Sequence, residues 1–377
     1  MFILFSIFLG IFMGIITYIF GTGLLFLSSY RENHIYLILF LPFIGAIVYY
    51  VYEKYAKILK KGMKHVKASY NYEEDIDKKL IPFITISTWL SHLFGASVGR
   101  EGVAVQIGAS FSNLTYKYFK LEKHIAILAG MSAGFSGLFG TPLAAIIFPI
   151  EILHNREKKL GIADISIIIL SSFIASFTSA KLGLPHFKFK LTENYNISLK
   201  LILVTVIASI LFSISAVIFT KLTSFLKPYL SKNIIRVFLL SIVLALIIYY
   251  FRDGRYAGLG TNLISLSFEN NGTSILNLDF LFKLLLTSFS LSLFYQGGEV
   301  TPLFAMGSSL GVIISNVFNV PVYLFASLGY IGVFSGSTNT LITPMMIAYE
   351  VFGYNGLVYA VISSVLIYFI TRKNSIY

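Results

Sequence analysis

Apolar residues run along this chain in long blocks: Met1–Tyr30, Ile35–Tyr52, Leu80–Ala96, Ile125–Leu153, Ile165–Ser179, Leu199–Phe225, Ile234–Phe251, Phe280–Phe294 and Tyr323–Ile370. About 20 apolar residues cross a bilayer. Some blocks reach that length; others are shorter or are interrupted by Gly and Pro, so the pattern predicts an all-α polytopic membrane protein of tilted and broken helices. The first block is too long for a signal-peptide core and has no charged residue before it, which predicts a retained spanning helix. A short polar turn joins it to the second, and the next membrane helix begins at Ile81-Pro82. Hydrophobicity lapses longest between Lys181 and Lys200. That lapse divides the chain into halves, 1–190 and 191–377, and no soluble regulatory domain is expected on either side.

Composition agrees with the pattern. The 377 residues are 56% hydrophobic and 12% charged, with a mean hydropathy of +0.80, whereas a soluble surface needs about twice that charge. The net charge of +12 lies in short loops between apolar blocks, so it sets topology and does not indicate nucleic acid. Lys54, Lys57, Lys60, Lys61, Lys64 and Lys67 make one loop strongly basic, and Arg156, Lys158 and Lys159 another, which places both in the cytoplasm and the Arg31–His34 turn outside. Glu73, Glu74, Asp75 and Asp77 form an acidic cluster expected to be a solvated turn. With no cysteine, disulfides and thiolate chemistry are excluded.

The two halves repeat. A shift of 199 superposes Phe135-Ser136-Gly137, Thr141 and Glu151 on Phe334-Ser335-Gly336, Thr340 and Glu350; a shift of 198 places Gly99 and Glu101 on Gly297 and Glu299, with Gly108 one position off Gly307. Repeats of this length in membrane proteins predict two structural halves, commonly inverted, with a site at their interface. Broken helices there aim unpaired N–H groups at the midplane, where they attract an anion. The Gly-rich openings before Val103, Leu143, Thr301 and Ile342 suit that task, although glycines also serve close helix packing.

An ionisable residue at membrane depth is costly and by default functional. Glu101, within Gly99-Arg100-Glu101-Gly102, would occupy an anion's place at a helix start and release it on protonation; a surface Glu paired with Arg100 is the plainer reading. Glu151 and Glu350 end apolar helices as interfacial charges or points of proton access. Glu299 suggests a structural or gating role, and Thr301 offers a hydroxyl at another helix opening. The six histidines show no metal-ligand spacing, and no P-loop is present. The chain therefore reads as a transporter, with no enzymatic activity, cofactor or metal implied.

Gly99-Arg100-Glu101-Gly102 resembles the CLC family of anion channels and anion/proton exchangers, and Val103-Ala104-Val105-Gln106 is similar to its fluoride/proton antiporter branch, where chloride members continue with Pro. Gly62-Met63, Arg255–Ile264, Gly297-Gly298-Glu299-Val300-Thr301-Pro302 and Thr338-Asn339-Thr340 extend the resemblance over almost the whole chain in the family's order. It implies the CLC fold of two inverted repeats, and a homodimer with one pore per subunit. It implies Glu101 as gating and proton-carrying glutamate. Gly62, Met63, Gly99, Arg100, Gly102, Val103, Val300, Thr301, Asn339 and Tyr377 are the implied anion-binding positions.

Two departures from chloride exchangers follow. Ile152 stands where many keep an internal proton-relay glutamate, as in the fluoride branch. Tyr377, the implied pore tyrosine, is the last residue of the sequence. The expected function is export of fluoride across the plasma membrane against inward proton flow, with fluoride, protons, lipid and a second copy of the chain as partners. Met63 has no donor for fluoride, so its role is to remove a chloride-favouring hydroxyl and narrow the path. A chloride, nitrate or other anion exchanger, a passive fluoride channel and a membrane-embedded enzyme remain open alternatives here.

Overall fold

The computed structural model describes residues 2–153, 160–372 and 374–377; the basic loop at Arg156, Lys158 and Lys159 lies outside them. The described residues form α-helices joined by short turns. The first half holds α1 (Phe2–Asn33), α2 (Leu41–Tyr55), α3 (Met63–Tyr70), α4 (Leu80–Leu93), α5 (Glu101–Thr115), α6 (Lys123–Phe139), α7 (Pro142–Leu153) and α8 (Ile162–Lys181). The second holds α9 (Leu199–Leu230), α10 (Ile234–Tyr250), α11 (Thr261–Phe268), α12 (Asp279–Ser292), α13 (Val300–Phe318), α14 (Val322–Thr338), α15 (Ile342–Ile347, extended by a wide turn over Ala348–Phe352) and α16 (Leu357–Ile370). Five spans, Phe2–Asn33, Ile35–Tyr55, Ile162–Lys181, Leu199–Leu230 and Val300–Phe318, are long and apolar enough to cross a bilayer. The remaining apolar helices are too short, as the interrupted blocks predict.

The repeat is carried element by element. α1 and α9 both have 32 residues, α3 and α11 both 8, α4 and α12 both 14, and α6 and α14 both 17. The packing partners repeat too: α5 lies on α6 as α13 lies on α14, and α1 touches α4, α6 and α8 as α9 touches α12, α14 and α16. The closest approach falls at one position in each half. A Cβ on Gly108 would sit 1.9 Å from the Gly130 carbonyl oxygen, and one on Gly307 would sit 1.8 Å from that of Gly329. Backbone meets backbone there because helices within a bilayer gain association from close packing, which small residues permit.

The structure corrects one register. A shift of 198 relates α3 to α11, but from α4 and α12 through α6 and α14 the shift is 199. Gly99 therefore stands opposite Gly298, with which it forms an antiparallel bridge, and Arg100 rather than Glu101 occupies the place of Glu299. The extra residue lies in the longer connection between α11 and α12, which no motif marks.

Glu151 and Glu350 have a concrete task in this fold. Glu151, near the end of α7, accepts hydrogen bonds from the backbone N–H groups of Leu341, Ile342 and Thr343 at the start of α15 (2.8, 2.8 and 2.9 Å). Glu350, at the far end of α15, accepts from Leu143 and Ala144 at the start of α7 (both 2.9 Å). Each glutamate thus caps a helix of the other half, satisfying N–H groups that a helix start leaves unpaired and placing negative charge at a positive dipole end. The acidic cluster is likewise engaged: Glu74 accepts from Lys61 and His65, and Asp75 from Lys123. The Lys61 hydrogen bond, with His65 beside it, holds the Glu74 carboxyl below its ordinary range.

Gly108→Val and Gly307→Val are each expected to destabilise the protein by about 3 kcal/mol or more, beyond ordinary overpacking, because the obstructing atom is backbone. Thermal unfolding followed by loss of monodisperse protein measures this; unchanged midpoints would refute the crossing geometry.

Candidate functional site

α4 stops at Leu93 and α12 at Ser292, both in mid-protein, and each is followed by a turn through a left-handed residue, Gly95 (φ 85°) and Phe294 (φ 77°). The next residues run extended and meet: Gly298 donates its N–H to the Gly99 carbonyl at 2.7 Å, and Gly99 returns the bond. Only glycine permits this approach, since a Cβ on Gly99 would lie 2.9 Å from the Gly298 oxygen and one on Gly297 2.5 Å from Val98 Cβ. Buried polar bonds fix the first turn. Lys283 donates to Ser97 Oγ (2.9 Å) and to the carbonyls of Gly258 (2.7 Å) and Tyr256 (3.1 Å), and Arg31 donates to the His92 carbonyl (2.9 Å). The pairing brings the N-termini of α5 and α13 together.

Glu101 opens α5, and its side chain is 1% exposed. Its Oε2 accepts the Thr301 N–H at 3.2 Å, the Thr301 hydroxyl and the Arg100 N–H at 3.4 Å, while Oε1 lies 3.5 Å from Arg100 Nε. The carboxylate therefore sits on the N-terminus of the opposite helix, α13, in the place where an anion would be held. Glu299, just before α13, accepts a hydrogen bond from the Tyr377 hydroxyl.

Two cavities reach this centre. The larger, of about 390 Å³, is lined by Lys60, Lys61, Lys64 and Lys227, then Gly62, Met63, Gln106, Glu299 and Tyr377. The smaller, of about 50 Å³, is lined by Arg100, Glu101, His186, Thr261, Thr301 and Tyr330. Thr301 walls one and Gly297 and Glu299 the other, so the paired turns separate the two. The Glu101 carboxylate thus lies between the two cavities, on the start of α13.

The profile of the family described as voltage gated chloride channel matches residues 44–372. This chain belongs to that family, the CLC proteins. Among solved structures, a CLC-type fluoride/proton antiporter superposes with a TM-score of 0.95 at 41% identity, covering 100% of this chain and 96% of that one. A slow cyanobacterial Cl⁻/H⁺ antiporter superposes at 0.87 with 17% identity over 98% and 94% of the two chains, a likeness of fold alone. The chloride/fluoride channel protein of Pseudomonas syringae pv. tomato is 29% identical over 364 residues, 93% of this chain and 79% of its own.

Within this CLC fold the residues singled out from sequence fall into three places. Glu101, Arg100 and Thr301 line the small cavity; Gly62, Met63 and Tyr377 line the large one; Gly99, in the turn, and Gly102, Val103 and Val300, at the helix starts, are buried between. Asn339 lines neither cavity and ends α14 with a φ of 55°, a conformation Asn tolerates well. Gln106 joins the site unforeseen. Its amide donates to the Gly102 carbonyl at 3.2 Å and its Oε1 has no partner; a lone amide inside the apolar Val103–Ala109 run was the available signal. Lys60, Lys61 and Lys64 were read only for topology, and Lys227 and His186 join them without a signal in the sequence.

Tyr377→Phe removes the donor to Glu299 while keeping the ring against Phe148. Losing one hydrogen bond to a charged group is worth about 1.5 kcal/mol, so anion efflux from reconstituted liposomes is expected to slow about tenfold with the fold intact. An unchanged rate would remove the hydroxyl from the path.

Proposed function

We propose that this CLC protein is a secondary active fluoride/proton antiporter that exports fluoride, with Glu101 as gate and proton carrier. The observation that carries the reading is the Glu101 carboxylate seated on the α13 N-terminus between two cavities. The 41%-identical antiporter supports fluoride as the anion. On this reading the halves 1–190 and 191–377 form a single pore-bearing subunit of a homodimer in the plasma membrane, with the lysine-lined cavity facing the cytoplasm.

Fluoride collects on the lysines and moves past Met63 towards Thr301 and Tyr377. Glu101, once protonated, has less hold on the α13 N–H groups and swings clear; on losing the proton to the inside it returns as a carboxylate and displaces the anion outward. Fluoride is small and strongly hydrated, so its water must be replaced by close donors, for which helix N–H groups and the Thr301 and Tyr377 hydroxyls are suited. Met63 donates nothing; it selects by withholding a hydroxyl from larger anions. The Pseudomonas relative's description as a channel favours a second reading, passive conduction; exchange of chloride or another anion is a third.

One assay separates the readings. In liposomes a fluoride gradient is expected to drive uphill proton movement, with chloride moved far more slowly, and Glu101→Gln is expected to abolish the proton movement. Fluoride leak without coupled protons favours the channel; equal chloride and fluoride fluxes favour the general exchanger.

A further inference from the structure

The lipid-facing side of α2 and α4 carries a cleft that shares no lining residue with the two cavities of the anion path. It holds about 330 Å³ and is walled chiefly by Ile47, Val51, Pro82, Phe83, Ile86 and Leu90. Ile47 and Ile86 are 53% and 56% exposed, so the cleft opens towards the bilayer. Its polar side chains are spent on each other: the Tyr52 hydroxyl and Ser87 Oγ lie 3.0 Å apart. The end of α2 and the beginning of α4 lie together, since the Tyr52 and Phe83 rings meet edge-on at 5.9 Å. Just beyond them the chain is basic, with Lys54 and Lys57 following Tyr52, and Lys78 and Lys79 leading into α4. Lys60, Lys61 and Lys123 are ion-paired. Lys54, Lys57, Lys78 and Lys79 are exposed and, among the described residues, have no carboxylate at ion-pair distance.

We propose that this cleft binds one acyl chain of an anionic phospholipid, whose phosphate is held by Lys54, Lys57, Lys78 and Lys79, and that the bound chain braces the turn before α13. An apolar trough that ends at unpaired ammoniums complements a molecule with an apolar tail and a negatively charged head; basic pockets between membrane helices take such headgroups. Tyr50 and Tyr55 flank Lys54, whose Nζ lies 5.4 and 5.2 Å from their ring centres, an arrangement suited to the headgroup level of a bilayer. Occupancy reaches the anion path through one ring. Tyr52, in the cleft wall, packs edge-on against Phe294 at 5.2 Å. Phe294 lines the large cavity and carries the left-handed turn before α13 (φ 77°). A residue with a side chain keeps that conformation only where its surroundings over-determine it. A lipid chain in the cleft stops Tyr52 from tilting out into the bilayer and so holds Phe294, whichever anion the protein carries.

Binding is read by native mass spectrometry of the purified full-length protein offered phosphatidylglycerol and phosphatidylcholine in equal amounts. A phosphatidylglycerol on each chain is expected to survive after phosphatidylcholine has dissociated. Lys54→Gln, Lys57→Gln, Lys78→Gln and Lys79→Gln together are expected to weaken its retention about tenfold or more. Ile86→Trp, which fills the cleft from its lipid side, is expected to displace it. Lys117→Gln with Lys120→Gln, at exposed lysines outside the cleft, is expected to leave it in place. In phosphatidylcholine vesicles, added phosphatidylglycerol is expected to speed anion efflux by the unaltered protein about fivefold, the low end of coupling between two sites, and to leave Ile86→Trp unmoved. Equal retention of the two lipids, full retention by the four-lysine variant, or an equal loss in the Lys117 and Lys120 variant overturns the site. Efflux indifferent to phosphatidylglycerol, with retention that follows the four lysines, overturns the bracing of Phe294 and leaves the binding site standing.

Discussion

The structure depends on a constraint that a membrane interior imposes without exception: a helix that starts at mid-depth must find partners for its first N–H groups. α5 and α13 start there because Gly99 and Gly298 pair their backbones, and no side chain is present at either residue to hold the segments apart. The helix ends so created are donors in a low-dielectric place with nothing of their own to bond. Glu101 fills one of them, and a carboxylate that fills an anion's place is a competitor for any anion that would use it. On the proposed reading, blockage, anion binding and proton sensitivity all come from the same helix-start donors.

The same constraint explains the two other broken helices. α7 and α15 also begin with unpaired N–H groups, and there the partner is fixed: Glu151 and Glu350 reach across the halves and cap each other's helix. Two helix starts are thereby committed to structure, bolting the repeats together; on the proposed reading the other two serve ions. The difference lies in what a carboxylate meets. Glu151 and Glu350 are each held by donors of the other half, whereas Glu101 borders a cavity.

Much of this was legible in the chain. Long apolar blocks and their interruptions report directly on the bilayer, and Gly99-Arg100-Glu101-Gly102 announced a buried acid at a helix start. The rest depended on contacts that local pattern does not encode. The partners of Glu151 lie about 190 residues away, so its capping role has no local signature. The one-residue change of register between α11 and α12 falls in a connection with no motif, and so Glu101 was set against Glu299 when Arg100 is its counterpart. Met63 and Thr261 gave no hint of equivalence, because the repeat preserves the turn of glycine into helix and not the side chain that follows it.

That last point gives the molecule its direction. A pair of inverted repeats is symmetric about the membrane centre, and a symmetric path cannot distinguish inside from outside. The scaffold keeps the symmetry in its glycines and helix lengths, while the site residues break it. Arg100 stands where the other half has Glu299, Glu101 where it has Val300, and Met63 where it has Thr261. One end is a wide basin of lysines, which on the proposed reading gathers anions weakly and reversibly because its ammoniums are hydrated and screened. The other is a tight space with a single fixed guanidinium. On the proposed reading, an anion leaving the basin exchanges many loose partners for a few rigid ones, and the proton on Glu101 determines when those rigid partners are free.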